Sequence, residues 1–244
     1  MAALALASIA AATTPAPEHP VILALGDSVA FGMGVPSPET GGFPAVLHRR
    51  LCEGDDDCPI GEVVNLAIPG ATSTGVRQSQ LPPALAVLSD REVALVTLTV
   101  GGNDLFDRLL SDCRSGLRSG CRQSMRRVFA EYGENLNVTL DELRRAAGAD
   151  IPISVMTYYN PLAACVLAPM SPTAQVVLEG GIQPMSGFND LIRVTAAATE
   201  TQVAEVSGRL SPGDYVGGLD CIHPNDAGHE KIAAAFLDSL PGVG

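Results

Sequence analysis

The chain has no tryptophan, only 4% aromatic residues, no C-x-x-C pair and few basic side chains. Each shortage excludes something. Sugar-binding sites commonly stack their ligand on aromatic rings, so a polysaccharide-directed enzyme is disfavoured. Metal-binding cysteines come in short C-x-x-C pairs, so no metal is expected. No window approaches the roughly 20 consecutive apolar residues of a membrane span. Lys and Arg total 15 against 27 Asp and Glu, a formal net charge of -12. Such a chain repels phosphate backbones, which excludes nucleic acid, and it is poorly attracted to an anionic lipid surface. A neutral ester or lipid substrate is not excluded.

What is present points to a globular enzyme. The 244 residues, 46% hydrophobic, suffice for one sizeable core. Residues 1–19 read as an export-signal remnant or flexible tail: the stretch is alanine-rich and ends near "PAP", but it lacks a basic start. A short amphipathic helix is the alternative. Residues 20–244 read as a single domain. The six cysteines are even in number. The loops "CEGDDDC" and "CRSGLRSGC" make Cys52–Cys58 and Cys113–Cys121 the simplest pairs, leaving Cys165–Cys221 as a long-range tie. Six reduced thiols in a cytoplasmic protein are the competing reading.

Four apolar runs read as strands buried on both faces of a parallel sheet: Val21–Leu25, Glu62–Ala67, Glu92–Val100 and Ile151–Tyr159. Helical patterns lie between them, over Phe43–Leu51, from "LPPALAVLS", and over Ser124–Ala147 with Gly148 as C-cap. Two more cover Gly187–Val206 and Asn225–Leu240. Leu105–Gln123 and Asn160–Gly187 fit no clean period and read as loops at one end of the sheet. Strand–helix alternation predicts a doubly wound α/β sandwich.

Ligands in such sheets bind beyond the carboxyl ends of the strands. There the chain delivers Gly26-Asp27-Ser28, then Gly70 in "IPGATS", then Gly101-Gly102-Asn103-Asp104, and near the C-terminus Asp220 and His223 in "DCIHPNDAGH". Taken singly, Ser28 is most simply a helix cap, "GGND" a turn, and "HPND" a helix start. Together they supply acyl-transfer chemistry. A serine hydroxyl needs a base, which His223 provides; a carboxylate, Asp220, must hold the imidazole in one tautomer. The main-chain N–H groups of Ser28 and Gly70 and the side chain of Asn103 can donate to an oxyanion. Asp27 and Asp104 read as structural carboxylates bonding loop N–H groups. His229 reads as a surface residue of the last helix, and His19 and His48 show no partner pattern.

These four pieces, in this order, resemble the four blocks of the GDSL esterase/lipase family, the SGNH hydrolases: "GDS" with Gly32, Gly70 in "NLAIPGATS", "GGND", and "DCIH" followed by Pro224. The resemblance spans Val21 to about Leu240. It implies a flavodoxin-like three-layer α/β/α sandwich with about five parallel strands. It implies Ser28 as nucleophile and oxyanion donor, Gly70 and Asn103 as further donors, His223 as base and Asp220 as its orienter, with no cofactor and no metal. Secreted bacterial members often carry three disulfides, in line with the cysteine count.

The expected function is a secreted, monomeric serine esterase or lipase acting on short- to medium-chain acyl esters, with Leu162, Val166, Leu167, Met170, Ile182 and Met185 lining the acyl site. A phospholipase or thioesterase on the same triad, a carbohydrate acetylesterase and a non-catalytic binding module are the alternatives. Partners are confined to a small ester or lipid substrate.

Overall fold

The structure, a computed structural model, describes residues 19–54, 58–180 and 186–242. The tail assigned to residues 1–19 therefore lies outside the described residues up to residue 18, as do the acyl-site candidates Ile182 and Met185.

Five parallel strands form the central sheet: β1 (Val21–Gly26), β2 (Val63–Asn65), β3 (Val93–Thr99), β4 (Ile153–Met156) and β5 (Gln202–Ala204), in the order β2-β1-β3-β4-β5. β1 and β4 are buried at every residue, as their largely apolar sequences require, with Ser154 the one polar side chain of β4. Helices flank the sheet. Phe43–Leu51 packs on Asp226–Asp238, with the Phe43 and Phe236 rings stacked 4.7 Å apart. Leu81–Asp90, Gly102–Asp112 and Phe188–Ala198 all pack on the long Ser119–Ala147 helix. The chain winds one way from β1 to β2 and the other way from β1 to β3. The crevice for a ligand opens at that switch, between the ends of β1 and β3. A two-stranded antiparallel ribbon, β6 (Tyr215–Gly217) and β7 (Asp220–Pro224), stands apart from the sheet.

Three expectations are corrected. The region read as a loop, Leu105–Gln123, is mostly helical: Gly102–Asp112 and the first turn of the long helix, which starts at Ser119. Leu105 and Leu109, four residues apart, supply its buried face, a stripe too short to stand out in the sequence. The helix expected over Gly187–Val206 stops at Ala198, where the Thr199 hydroxyl donates to the Thr195 and Ala196 carbonyls, the Thr201 hydroxyl donates to Thr199 O, and Glu200 takes a positive φ of 53°. β5 begins at Gln202, two residues after Glu200, an edge strand too short to show alternation. Within Asn160–Gly187, two single turns lead into a helix at Ser171–Gln175 that continues to Gly180.

All three cysteine pairs form as read: Cys52–Cys58, Cys113–Cys121 and Cys165–Cys221, with Cα separations of 5.0, 4.8 and 5.4 Å. Among the described residues, the one group with metal-donor spacing is His48, Cys52 and Cys58, and both of its sulfurs belong to a disulfide.

Candidate active site

The end of β1 approaches β3 so closely that a Cβ at Gly26 would lie 2.1 Å from the Thr99 carbonyl oxygen, and φ there is +141°. Only glycine is tolerated at such a crossing. The amide of buried Gln80 fixes this point, donating to Gly26 O at 2.7 Å and accepting from Gly26 N at 2.8 Å. Asp27 follows, 2% exposed. It, rather than Ser28, is the cap of the short helix Ser28–Phe31, accepting from Val29 N–H at 3.0 Å. The Thr99 hydroxyl donates to the same carboxylate at 3.0 Å, and the Tyr158 hydroxyl donates to its other oxygen. Burial pushes the Asp27 carboxyl above its ordinary value despite these donors. Burial, reinforced by the Asp27 charge, holds the Tyr158 phenol well above its own, so it stays a donor. Ser28 opens the helix with its hydroxyl on the rim of the crevice.

From the other end of the chain, β7 brings Asp220 and His223. Both Asp220 oxygens lie within hydrogen-bond distance of His223 Nδ1, at 2.8 and 2.9 Å, and Nε2 lies 2.9 Å from Ser28 Oγ. A carboxylate only accepts, so Nδ1 carries the proton and Nε2 is left to accept from the serine hydroxyl. Four devices hold this strand. Cys221 is bonded to Cys165; the Tyr159 hydroxyl donates to Ile222 O at 3.1 Å; the Tyr159 and Tyr215 rings pack 5.5 Å apart; and the Asn225 side chain donates to Gly213 O and Tyr215 O while capping the last helix.

Asn103 opens the Gly102–Asp112 helix at the end of β3, and its side-chain N–H donates to Ala71 O at 2.9 Å. Gly70, the residue before Ala71, is exposed and at φ +81°, which suits glycine. Its loop is fastened by Asp104, which accepts from Ser73 N–H and hydroxyl at 2.9 and 2.5 Å. Asp104 is thus the loop stabiliser expected, with its carboxyl raised by burial.

A cavity of about 100 Å³ opens beside Ser28, His223 and Asn103. Its wall is mostly apolar: Leu105, Phe106 and Leu109 from one helix, Ala174, Val177 and Leu178 from the segment after β4, with Leu162 between. Of the acyl-site candidates among the described residues, Leu162 lines it. Val166 is 80% exposed, Met170 is in the core and Leu167 packs against the core, none of them on the cavity wall. Gly70 lies outside the wall as well.

Several contributors left little trace in the sequence. Asn189, fully buried, clasps the Tyr158 backbone, accepting from its N–H at 2.7 Å and donating to its carbonyl at 2.8 Å. This repeats at β4 what Gln80 does at β1. His229 is not on the surface but has no exposed area: the next turn of its helix faces the sheet. Its Nδ1 accepts from Phe43 N–H at 3.1 Å and its Nε2–H donates to Met33 O at 2.9 Å. Met33 N–H in turn bonds Ser28 O. Burial lowers the His229 pKa, in keeping with a neutral ring. The signal available was position: His229 follows His223 by six residues on an amphipathic helix whose apolar face had to be buried.

The fold is shared with solved structures of low sequence identity. A lipase from a goat rumen metagenome superposes with a TM-score of 0.64 at 19% identity, covering 92% of this chain and 98% of that one. Phospholipase A1 from Streptomyces albidoflavus gives 0.62 at 18%, covering 91% and 100%. An acetylxylan esterase from Geobacillus stearothermophilus gives 0.59 at 19%, covering 92% and 95%. No curated protein sequence matches the chain. The model of the GDSL-like lipase/acylhydrolase family matches residues 24–231, a stretch holding the end of β1, Ser28, Asn103, Asp220 and His223. The chain therefore belongs to the GDSL-like lipase/acylhydrolase family and is a carboxylic ester hydrolase.

Proposed function

We propose that the protein is a secreted serine esterase that cleaves short- to medium-chain acyl esters through a Ser28 acyl-enzyme. One observation carries the reading: the continuous line Ser28 Oγ, His223, Asp220 at the mouth of an apolar cavity.

In the first half-reaction His223 Nε2 takes the Ser28 proton as Oγ attacks the acyl carbon. Asp220 stabilises the imidazolium so formed. The oxyanion is met by the main-chain N–H groups of Ser28 and Gly70 and the second N–H of the Asn103 side chain, each such donor being worth about 100- to 1000-fold in rate. His223 then protonates the leaving alkoxide. In the second half-reaction it deprotonates a water, which attacks the acyl-enzyme and restores Ser28. No step calls for a cofactor. The acyl chain occupies the cavity between Leu105, Leu109, Leu162 and Leu178.

Export is supported by three disulfides, which persist in oxidising compartments. On this reading residues 1–19 are an export remnant or tail, and residues 20–244 are the catalytic domain, acting as a monomer. Ser28→Ala abolishes ester hydrolysis and labelling by a serine-directed phosphonate. Undiminished turnover in that variant refutes the mechanism, and a preference for acetylated sugars over simple acyl esters refutes the choice of acyl substrate.

A further inference from the structure

Six large apolar side chains are exposed among the described residues: Phe31, Ile68, Val166, Val194, Val216 and Leu219. Five of them sit on the segments that carry the site. Phe31 ends the helix that Ser28 begins. Ile68 stands two residues before Gly70, and its N–H bonds the Gly26 carbonyl at the end of β1. Val166 follows Cys165, which is bonded to Cys221 between Asp220 and His223. Val216 and Leu219 flank the turn of the ribbon that leads into Asp220, and Leu219 is 101% exposed. The segments meet: a Cβ at Gly34 would lie 3.1 Å from Val216 Cγ2 and 2.0 Å from Pro224 O. Val194 alone stands on none of them.

The same segments lack charge. Residues 28–38, 63–76, 160–178 and 215–219 contain no Asp, Glu, Lys or Arg, in a chain with 42 such residues. Of the carboxylates bordering these stretches, Asp27 is buried, Asp104 is held by Ser73, Asp214 is bonded to Lys231 and Asp220 to His223, while Glu39 is exposed. These uncharged segments, with five exposed apolar side chains among them, make up an apolar collar on the loops that carry the site, and the charged residues lie outside them. Isolated exposed apolar residues need no explanation, but a cluster framing a site marks an interaction surface.

We infer that this collar docks the protein on the uncharged or zwitterionic surface of aggregated lipid, with the cavity mouth turned towards the acyl chains. The inference rests on the acyl cavity of the proposed function and names where its substrate comes from. The choice of occupant follows from charge and from the apolar wall of the cavity. The collar offers no cation to an anionic headgroup, and the acidic remainder of the chain repels an anionic surface. The cavity wall beyond Ser28 and His223 is mostly apolar, so an acyl chain passing from the aggregate to Leu105 and Leu178 leaves one apolar environment for another, as the hydrophobic effect favours.

The test is flotation with vesicles of diether phosphatidylcholine, which contains no carboxylic ester, so docking is read whether or not Ser28 is the nucleophile. The wild-type chain is expected to float with these vesicles. Val216→Ser combined with Leu219→Ser is expected to lower partition at least about tenfold, since two apolar side chains no longer enter the interface. Turnover of a dissolved short-chain ester stays within about twofold of wild type, because neither residue reaches the reacting atoms. Val194→Ser floats like wild type. Ile68→Ser provides an independent collar variant should the double variant lose its cooperative melting transition. Four results overturn the proposal: wild type remaining in the aqueous fraction, collar variants floating undiminished, partition that requires anionic lipid, or a wild-type dimer that the collar variants dissociate, which would make a second copy the occupant.

Discussion

Tyr158→Phe isolates the buried carboxylate next to Ser28. The substitution removes one hydroxyl and leaves the ring that packs on Gly102, where a Cβ would already lie 2.8 Å from Tyr158 Cε1. Asp27 then keeps two donors, Val29 N–H and the Thr99 hydroxyl, but loses its third. Hydrogen bonds to charged groups contribute about 1.5–3 kcal/mol, and at a site 2% exposed no water is at hand to replace the phenol. At neutral pH the variant should therefore be less stable by about 2 kcal/mol. The pH dependence gives the argument its edge. Burial already raises the Asp27 carboxyl above its unfolded value, so the folded protein takes up this proton more readily than the unfolded one, and the group's contribution to stability declines as pH rises through the folded pKa. Losing the Tyr158 donor raises it further. The deficit should thus be largest at neutral pH and shrink as the medium is made acidic and Asp27 becomes protonated. Urea unfolding of wild type and variant across that range reads the difference. A deficit that is constant with pH, or absent at neutral pH, refutes the claim that Tyr158 supports a buried anion.

Replacing Cys165 and Cys221 together by alanine opens a loop of sequence separation 56, worth up to about 4 kcal/mol in chain entropy. Well below the melting temperature kcat should still fall, because the disulfide holds the turn carrying Asp220 and His223; an unchanged kcat in a folded variant refutes that coupling. His229→Gln keeps one donor and one acceptor for Met33 O and Phe43 N–H but does not titrate. The depressed His229 pKa means wild type is most stable where the ring is neutral and loses this contribution as acid protonates it, so the stability difference between wild type and variant should narrow towards low pH in a melting series. A difference independent of pH refutes the neutral-ring assignment.

The four blocks at the strand ends were legible because chemistry restricts their residue types: a nucleophile, a base, its carboxylate and amide donors admit few substitutes. The strands were legible because β1 is apolar up to its closing glycine and β4 is apolar but for Ser154. Cysteine pairing was legible because two of the three bridges are local. The cavity wall was not. Val166 has the same apolar character as Leu178, and only the path of the chain after β4 turns one outward and the other in. Gln80 and Asn189 escaped notice for a related reason: their partners lie 54 and 31 residues away, and a lone amide carries no mark of the backbone it will clasp. The last helix, expected over Asn225–Leu240, runs from Asp226 to Asp238, and His229, expected at the surface, lies on its buried face with Gly228 and Ile232.

The line from Ser28 to His223 joins residues 195 apart in sequence. During synthesis or export the nucleophile emerges early and its base almost last. Without the β6–β7 ribbon, Ser28 has no base, and a serine hydroxyl without a base is a poor nucleophile. On the proposed mechanism, hydrolytic competence is the final property this molecule acquires, conferred when the β6–β7 ribbon docks and its bridge to Cys165 closes. On that mechanism the order of the chain sets the order of competence: an ester hydrolase cannot act until its last strand is in place.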